Sequence, residues 1–135
     1  MQTTYAGVVY PAQCDSMGHM NVQHYVSVFD QAMWHLVYAL GFKPSWVHDR
    51  HQGWADVRYV INFQREMCVG QLFRAESTVR KVGNSSLLSF HQITECESGL
   101  TAAYVEMTSV YFDLAERRSI PIPEEIRIAA QALAT

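Results

Sequence analysis

The sequence predicts an α+β fold in which an antiparallel sheet curls around one long helix. Three observations predict it. Between Cys14 and Phe42 a polar turn feeds an apolar run with helical spacing. From Trp54 to Phe112 the apolar period drops to two, and Gly83-Asn84 and Ser98-Gly99 punctuate it as turns. The helical stripe is also wider than a narrow seam, so a sheet is needed to cover it.

Taken in order, Tyr5 to Tyr10 is rich in β-formers and stops at Pro11, which reads as a first strand. The helix starts at Asn21, whose side-chain oxygen can accept from an orphaned N–H of the first turn. Met20 before that cap and Tyr25 after it sit where a hydrophobic staple needs them. Tyr25, Phe29, Ala32, Leu36 and Leu40 then repeat at helical spacing, and Val26, Met33 and Val37 widen the stripe. Gly41 can close the helix in the left-handed conformation, and Pro44 prevents its resumption. Phe42 to Gly53 has no clean period and reads as an irregular loop with room for a helical turn.

Val57, Tyr59, Ile61 and Phe63 next share a strand face opposite Asp56, Arg58, Asn62 and Gln64. After Gly70, Phe73, Ala75, Ser77 and Val79 alternate with Arg74, Glu76, Thr78 and Arg80. Leu88, Phe90 and Gln92 alternate with Leu87, Ser89 and His91, and Tyr104 to Phe112 alternates likewise. Tight turns join these last three strands into an antiparallel meander. Pro123 and Glu124-Glu125 start a short closing helix with acids at its positive end. Both strand faces carry apolar side chains while one helix can cover only one of them, so an oligomer is expected.

A chain of 135 residues makes one domain, 1–135, long enough to bury a core. A net charge of −3 without a Lys/Arg cluster offers no field for nucleic acid. The three cysteines, Cys14, Cys68 and Cys96, are odd in number and form no Cys-x-x-Cys pair. That pattern indicates reduced thiols rather than a disulfide or zinc framework. No signal peptide and no apolar run of membrane-spanning length are read, so a cytoplasmic protein without membrane partners is expected.

The chemistry concentrates at Asp15. Asp-x-x-Gly, from Asp15 to Gly18, is in itself a good turn. Directly after it comes a helix start, where free N–H groups near Val22 and the helix dipole make the end electropositive. A carbonyl oxygen placed there is polarised, and each such donor is typically worth about 3 kcal/mol to a developing oxyanion. A carboxylate alongside completes a hydrolytic site as nucleophile or as general base for water. His19 is either a second catalytic group, a substrate contact, or a turn residue satisfying backbone groups. Tyr25 and Phe29 serve the core and can also line a pocket; so can Trp46, Trp54 and Tyr59. Cys14 reads as a small buried thiol and His24 as partly buried against the sheet; His48 and His51 read as solvated. Asp15, His19 and His24 lack metal-ligand spacing, and no Gly-rich phosphate loop or Gly-x-Ser-x-Gly elbow is present.

Asp15-Ser16-Met17-Gly18-His19-Met20-Asn21, with Tyr25 following, resembles the signature of hotdog-fold acyl-CoA thioesterases of the 4-hydroxybenzoyl-CoA thioesterase group. The likeness extends to Asn62-Phe63-Gln64-Arg65-Glu66, similar to that family's second long strand, to the Lys81–Ser86 hairpin, and to the closing stretch from Phe112 to Pro123. It implies a five-stranded antiparallel sheet wrapped around the helix, and homodimers paired into tetramers with active sites between subunits. The implied substrate is an acyl-CoA, with CoA part of the substrate and no separate cofactor. By resemblance Asp15 is the catalytic carboxylate, the Val22 N–H the carbonyl-polarising donor, and His19 a further catalytic candidate. Gly18 lets the backbone approach the substrate, Asn21 and Tyr25 border it, and Arg80, Lys81, Ser85 and Ser86 contact the nucleotide end of CoA. This chain departs from many relatives at Gln13, where they carry a second Asp, and at Val22, where they carry Asn. Gln13 spares Asp15 a neighbouring like charge.

Two other readings belong to the same residues. One is a hydratase or dehydratase acting on acyl thioesters, which lacks a His-Phe-Pro-type turn here. The other is a non-catalytic acyl-CoA binding module, for which Asp15 would be a turn residue only.

Overall fold

In the computed structural model, which describes residues 1–135, the long helix α1 runs Val22–Ala39. Its ends are built by the residues the sequence marks. Asn21 is extended (φ −75°, ψ 150°), and its side chain accepts from the Gln23 N–H. At the other end Gly41 takes φ +116°. There the Phe42 N–H donates to the Val37 carbonyl and the Gly41 N–H to the Tyr38 carbonyl, which satisfies the last carbonyls of the helix. Tyr25, Phe29, Ala32, Met33, Leu36, Val37 and Leu40 are buried, as the stripe predicts, whereas Val26, also assigned to it, lies at its edge and stands 36% exposed.

The sheet consists of β1 (Gln2–Val8), β2 (Gln52–Phe63), β3 (Leu72–Val82), β4 (Ser86–Glu95), β5 (Thr101–Asp113) and a two-residue β6 (Arg118–Ser119). Its order is β1-β3-β4-β5-β2, antiparallel throughout, with β6 paired to β5. β3, β4 and β5 form the expected meander, and β2 joins it at β5, leaving its other side as a free margin. A short helix α2 (Trp46–Asp49) fills the loop after α1, and α3 (Glu124–Leu133) closes the chain. This is the hotdog arrangement. No helix in it is long and apolar enough to cross a membrane.

Two boundaries differ from the sequence reading. The first strand is Gln2–Val8 instead of Tyr5 to Tyr10, because Pro11 opens a 3-10 turn over Pro11–Gln13 and leaves Tyr10 to cap it. β2 starts before Trp54, and a bulge between Asp56 and Arg58 shifts its phase. Val57 therefore stands 59% exposed, off the inner face.

The inner faces of β3, β4 and β5 bury Phe73, Ala75, Val79, Leu87, Ile93, Val105, Met107 and Tyr111 against α1. At the C-terminal end of α1, Phe42 meets Trp46, Trp54 and Tyr111 at ring distances of 5.6, 6.5 and 6.3 Å. Through the middle of this apolar layer runs a polar line. Thr4 Oγ1 lies 2.6 Å from Ser77 Oγ, Ser77 Oγ 2.6 Å from His91 Nδ1, and His91 Nε2 2.8 Å from Ser89 Oγ. All four residues are buried, and the mutual bonds meet the demand that buried polar groups be paired. Burial pushes His91 down to about 3, so it is a neutral imidazole.

α3 buries Ile126 and Ala130. Arg127 fastens it to the β3–β4 hairpin, donating to the Gly83 and Asn84 carbonyls at 2.8 and 2.6 Å.

Candidate active site

Asp15 sits in a turn whose every end is tied down. The Gly18 N–H donates to the Asp15 carbonyl (3.0 Å) and the Asp15 N–H to the His19 carbonyl (3.1 Å). Cys14 and Met20 bridge as an antiparallel pair. The turn is then anchored outward, with the Met20 N–H on the Met67 carbonyl (2.8 Å) and the Asn21 N–H on the Gln13 carbonyl (2.9 Å). Gly18 holds φ +90°, a conformation that disfavours any side chain, with open space around the position of a β-carbon.

Within the turn the Met17 N–H donates to Asp15 Oδ1 at 2.9 Å. One carboxylate oxygen is thus held in place, and Oδ2 makes no hydrogen bond within the chain. The first-turn donors of α1 sort themselves in a complementary way. Gln23 N–H goes to the Asn21 side chain and His24 N–H to the Asn21 carbonyl. The Val22 N–H has no intrahelical acceptor, as expected of a first helical residue. It stays available at the electropositive end of the helix.

Asp15 and Val22 line one cleft of about 310 Å³, together with Met17, His19, Met20, Tyr25 and Phe63 to Glu66. The ring of Tyr25 meets that of Phe63 edge-on at 5.3 Å. Burial pushes the Tyr25 phenol up, so it remains a neutral hydroxyl. His19 Nε2 lies 3.4 Å from a carboxylate oxygen of Glu66, across the cleft from its own turn.

Of the residues singled out from the sequence, Asp15, His19, Val22 and Tyr25 meet in this cleft. Asn21 is adjacent, with its side-chain oxygen spent on the cap. Phe29 is wholly buried in the core, and Trp46 and Trp54 belong to the aromatic cluster around Phe42. Tyr59 donates to Asp56 at 3.0 Å on β2, away from the cleft. Arg80, Lys81, Ser85 and Ser86 are not brought to it within one chain. Ser86 pairs with Val110 and Phe63 with Ala103 on β5. The hairpin therefore lies seven residues along that strand from the cleft, roughly 23 Å at about 3.3 Å per residue. Arg80 there donates to Thr135 Oγ1 (2.7 Å) and lies over the Phe90 ring.

The sequence reading missed the far wall. It places Gln64 on a strand face, whereas β2 ends at Phe63 and Gln64 to Glu66 turn across the cleft mouth. The signal for this was the run of three consecutive polar residues, Gln64-Arg65-Glu66, which breaks the alternation directly after Phe63. Gln13, where many relatives carry an acid, accepts the Tyr10 N–H through its side chain (2.9 Å) and helps brace the turn.

Comparison with known proteins adds three findings. The thioesterase-like superfamily matches residues 9–130. No curated protein matches the chain. Among solved structures, a hypothetical protein of Staphylococcus aureus in complex with CoA superposes at a TM-score of 0.90, with 18% identity over 98% of this chain and 84% of that one. A 1,4-dihydroxy-2-naphthoyl-CoA thioesterase from Synechocystis gives 0.84, with 19% identity over 97% and 96%. A thioesterase from Thermus thermophilus complexed with coenzyme A and zinc gives 0.81, with 24% identity over 97% and 92%. Identities in this range establish the shared fold.

Proposed function

Because the chain belongs to the thioesterase-like superfamily, and is a thioester hydrolase on that account, we propose that it cleaves an acyl-CoA to a carboxylic acid and free CoA at the Asp15 cleft. The observation that carries this reading is the pairing of a half-free carboxylate and a free helix-end N–H on one cavity. The thioester carbonyl oxygen accepts from the Val22 N–H, which gains strength as negative charge develops there. Asp15 Oδ2 then either attacks the carbonyl carbon or takes a proton from an attacking water.

In the first route the C–S bond breaks as the acyl–Oδ2 bond forms, and CoA leaves as a thiolate that takes a proton from solvent. Water then cleaves the mixed anhydride and restores the carboxylate. In the second route water supplies the new C–O bond directly and Asp15 returns its proton to the departing thiolate. Single turnover in isotopically labelled water tests the covalent route, since label enters Asp15 only when an anhydride forms and water cleaves it at the Asp15 carboxyl carbon. His19 is a hydrogen-bonding group for the bound substrate, and Met17, Met20, Tyr25 and Phe63 supply the apolar wall for the acyl group. The fold also supports a homodimer joined at the free margin of β2. In such a pair the partner's hairpin, with Arg80, Lys81, Ser85 and Ser86, becomes available to the nucleotide end of CoA. The dimer of dimers implied by the resemblance is the assembly expected beyond it.

The test is Asp15→Asn, which keeps an acceptor for the Met17 N–H and removes the charge. Turnover should fall by at least about a hundredfold with acyl-CoA binding retained. Near-normal turnover in a folded variant would sink the assignment. Binding without turnover by the wild-type chain, over short, long, branched and aromatic acyl-CoAs, would favour a binding module.

A further inference from the structure

The Arg127 side chain, on α3, is only 19% exposed, and its one ion pair is with Glu124 at 3.8 Å, on the solvent side. A guanidinium withdrawn from water in this way needs acceptors. It finds them in the turn between β3 and β4. Nη1 donates to the Gly83 carbonyl at 2.8 Å and Nη2 to the Asn84 carbonyl at 2.6 Å. The Asn84 carbonyl also accepts from the Ile122 N–H, and the Ser85 carbonyl from the Tyr111 N–H. Three consecutive carbonyls are thus drawn inward, toward the body of the protein.

In a planar trans peptide the C=O and N–H point in opposite directions. The two peptides whose oxygens Arg127 holds are those that carry the Asn84 and Ser85 N–H groups. Both N–H groups therefore face away from Arg127, and neither has an acceptor within the chain. A hydrogen bond to the peptide oxygen polarises the N–H on the same peptide, so a buried cation behind the turn makes both better donors in front of it. Successive N–H groups presented together form an anion-binding concavity. Ser86 Oγ packs over Gly83, where a β-carbon would collide with it. Lys81 is exposed beside the turn and has no ion pair, whereas Arg80 is tied to Thr135.

We propose that Arg127 is a positioning residue for phosphate binding: from behind the turn it aims the Asn84 and Ser85 N–H groups at a phosphate oxygen of CoA. This rests on the acyl-CoA reading above, in which the hairpin serves the cleft of a second copy. It adds two backbone donors to that reading, and the buried side chain that sets their direction. Arg127 itself touches no substrate. A lysine in its place keeps the charge but lacks the planar fork that fits both carbonyls.

Calorimetric titration of the full chain with free CoA tests it. Arg127→Lys should weaken CoA binding at least about tenfold, the usual effect of losing a hydrogen bond to a charged group. With an acyl-CoA as substrate KM should rise by a similar factor while kcat hardly changes. With an acyl-pantetheine, which has the thioester and no nucleotide, KM should stay within about twofold of wild type. A wild type that does not bind CoA, or an Arg127→Lys protein that binds it as tightly as wild type, overturns the proposal. So does an equal rise in KM for the acyl-pantetheine, which would make Arg127 a general support of the fold. Should the variant fail to fold, the amide resonances of isotopically labelled wild type decide. Those of Asn84 and Ser85 should shift as CoA is added, and resonances that stay in place at saturation overturn the proposal. The binding measurements need no turnover, so CoA held through these amides by a chain that hydrolyses no thioester would refute the hydrolase reading and leave this one standing.

Discussion

Val22 offers a way to remove one hydrogen without removing a side-chain function. Proline is well tolerated at the first position of a helix, because the N–H it lacks has no intrahelical partner there. The residue before it must be extended, and Asn21 already stands at φ −75°, ψ 150°. Val22→Pro should therefore leave stability within about 1 kcal/mol of wild type, while deleting the N–H proposed to polarise the thioester carbonyl. Removing one oxyanion donor typically costs about 10²–10³ in kcat, or roughly 3–4 kcal/mol. Val22→Ala is the control, since it trims the same half-exposed side chain and keeps the N–H. The assay is thiol release from an acyl-CoA followed to saturation. Val22→Pro should lose about a hundredfold or more in kcat relative to Val22→Ala, with a smaller change in KM. A folded Val22→Pro protein turning over within about threefold of the alanine control would refute the helix-end mechanism.

Two stability predictions follow from the core. His91 is neutral in the fold and held near 3, while an unfolded histidine titrates near about 6.5. The unfolded chain therefore takes up the proton first as pH falls, so this contribution is complete above about 6.5 and is lost toward 3. Between pH 7 and about 4.5 the loss should reach roughly 2–3 kcal/mol, read from urea unfolding at each pH, and His91→Gln should flatten that dependence. An equal slope in the variant would mean that other groups set it. Leu36, wholly buried on the sheet side of α1, should lose about 2–5 kcal/mol on Leu36→Ala, measured by the denaturation midpoint. A loss below about 1 kcal/mol would indicate a loosely packed helix–sheet contact.

Much of this was legible along the chain, for identifiable reasons. Asn21 and Gly41 mark the helix ends because capping and left-handed closure depend on the residues at those places. The meander from β3 to β5 follows from a clean period of two broken by Gly83-Asn84 and Ser98-Gly99. What could not be read depends on distant partners. His91 lies in a strand that alternates like any other, and nothing local shows that Ser77 and Ser89 will satisfy both of its nitrogens. The bulge at Asp56 is likewise set by pairing with β5, and it reverses the expected orientation of Val57. In the cleft, Asp15 and Val22 were visible because they are close in sequence. The opposing wall of Gln64 to Glu66 comes from a loop some fifty residues away, placed there by the sheet.

The two outer strands of the sheet are unlike each other. β1 is only seven residues long with a bulge between Thr3 and Tyr5, whereas β2, bulged once at Asp56, still runs for twelve residues with nothing bonded along its outer side. Short, irregular borders discourage further strands from attaching. Growth by strand addition is therefore directional: a copy that joins β2 uses up the receptive border of both molecules and leaves only poor templates outside. Such a sheet terminates after a single joining event, which gives a chain rich in long strands a built-in protection against open-ended fibres.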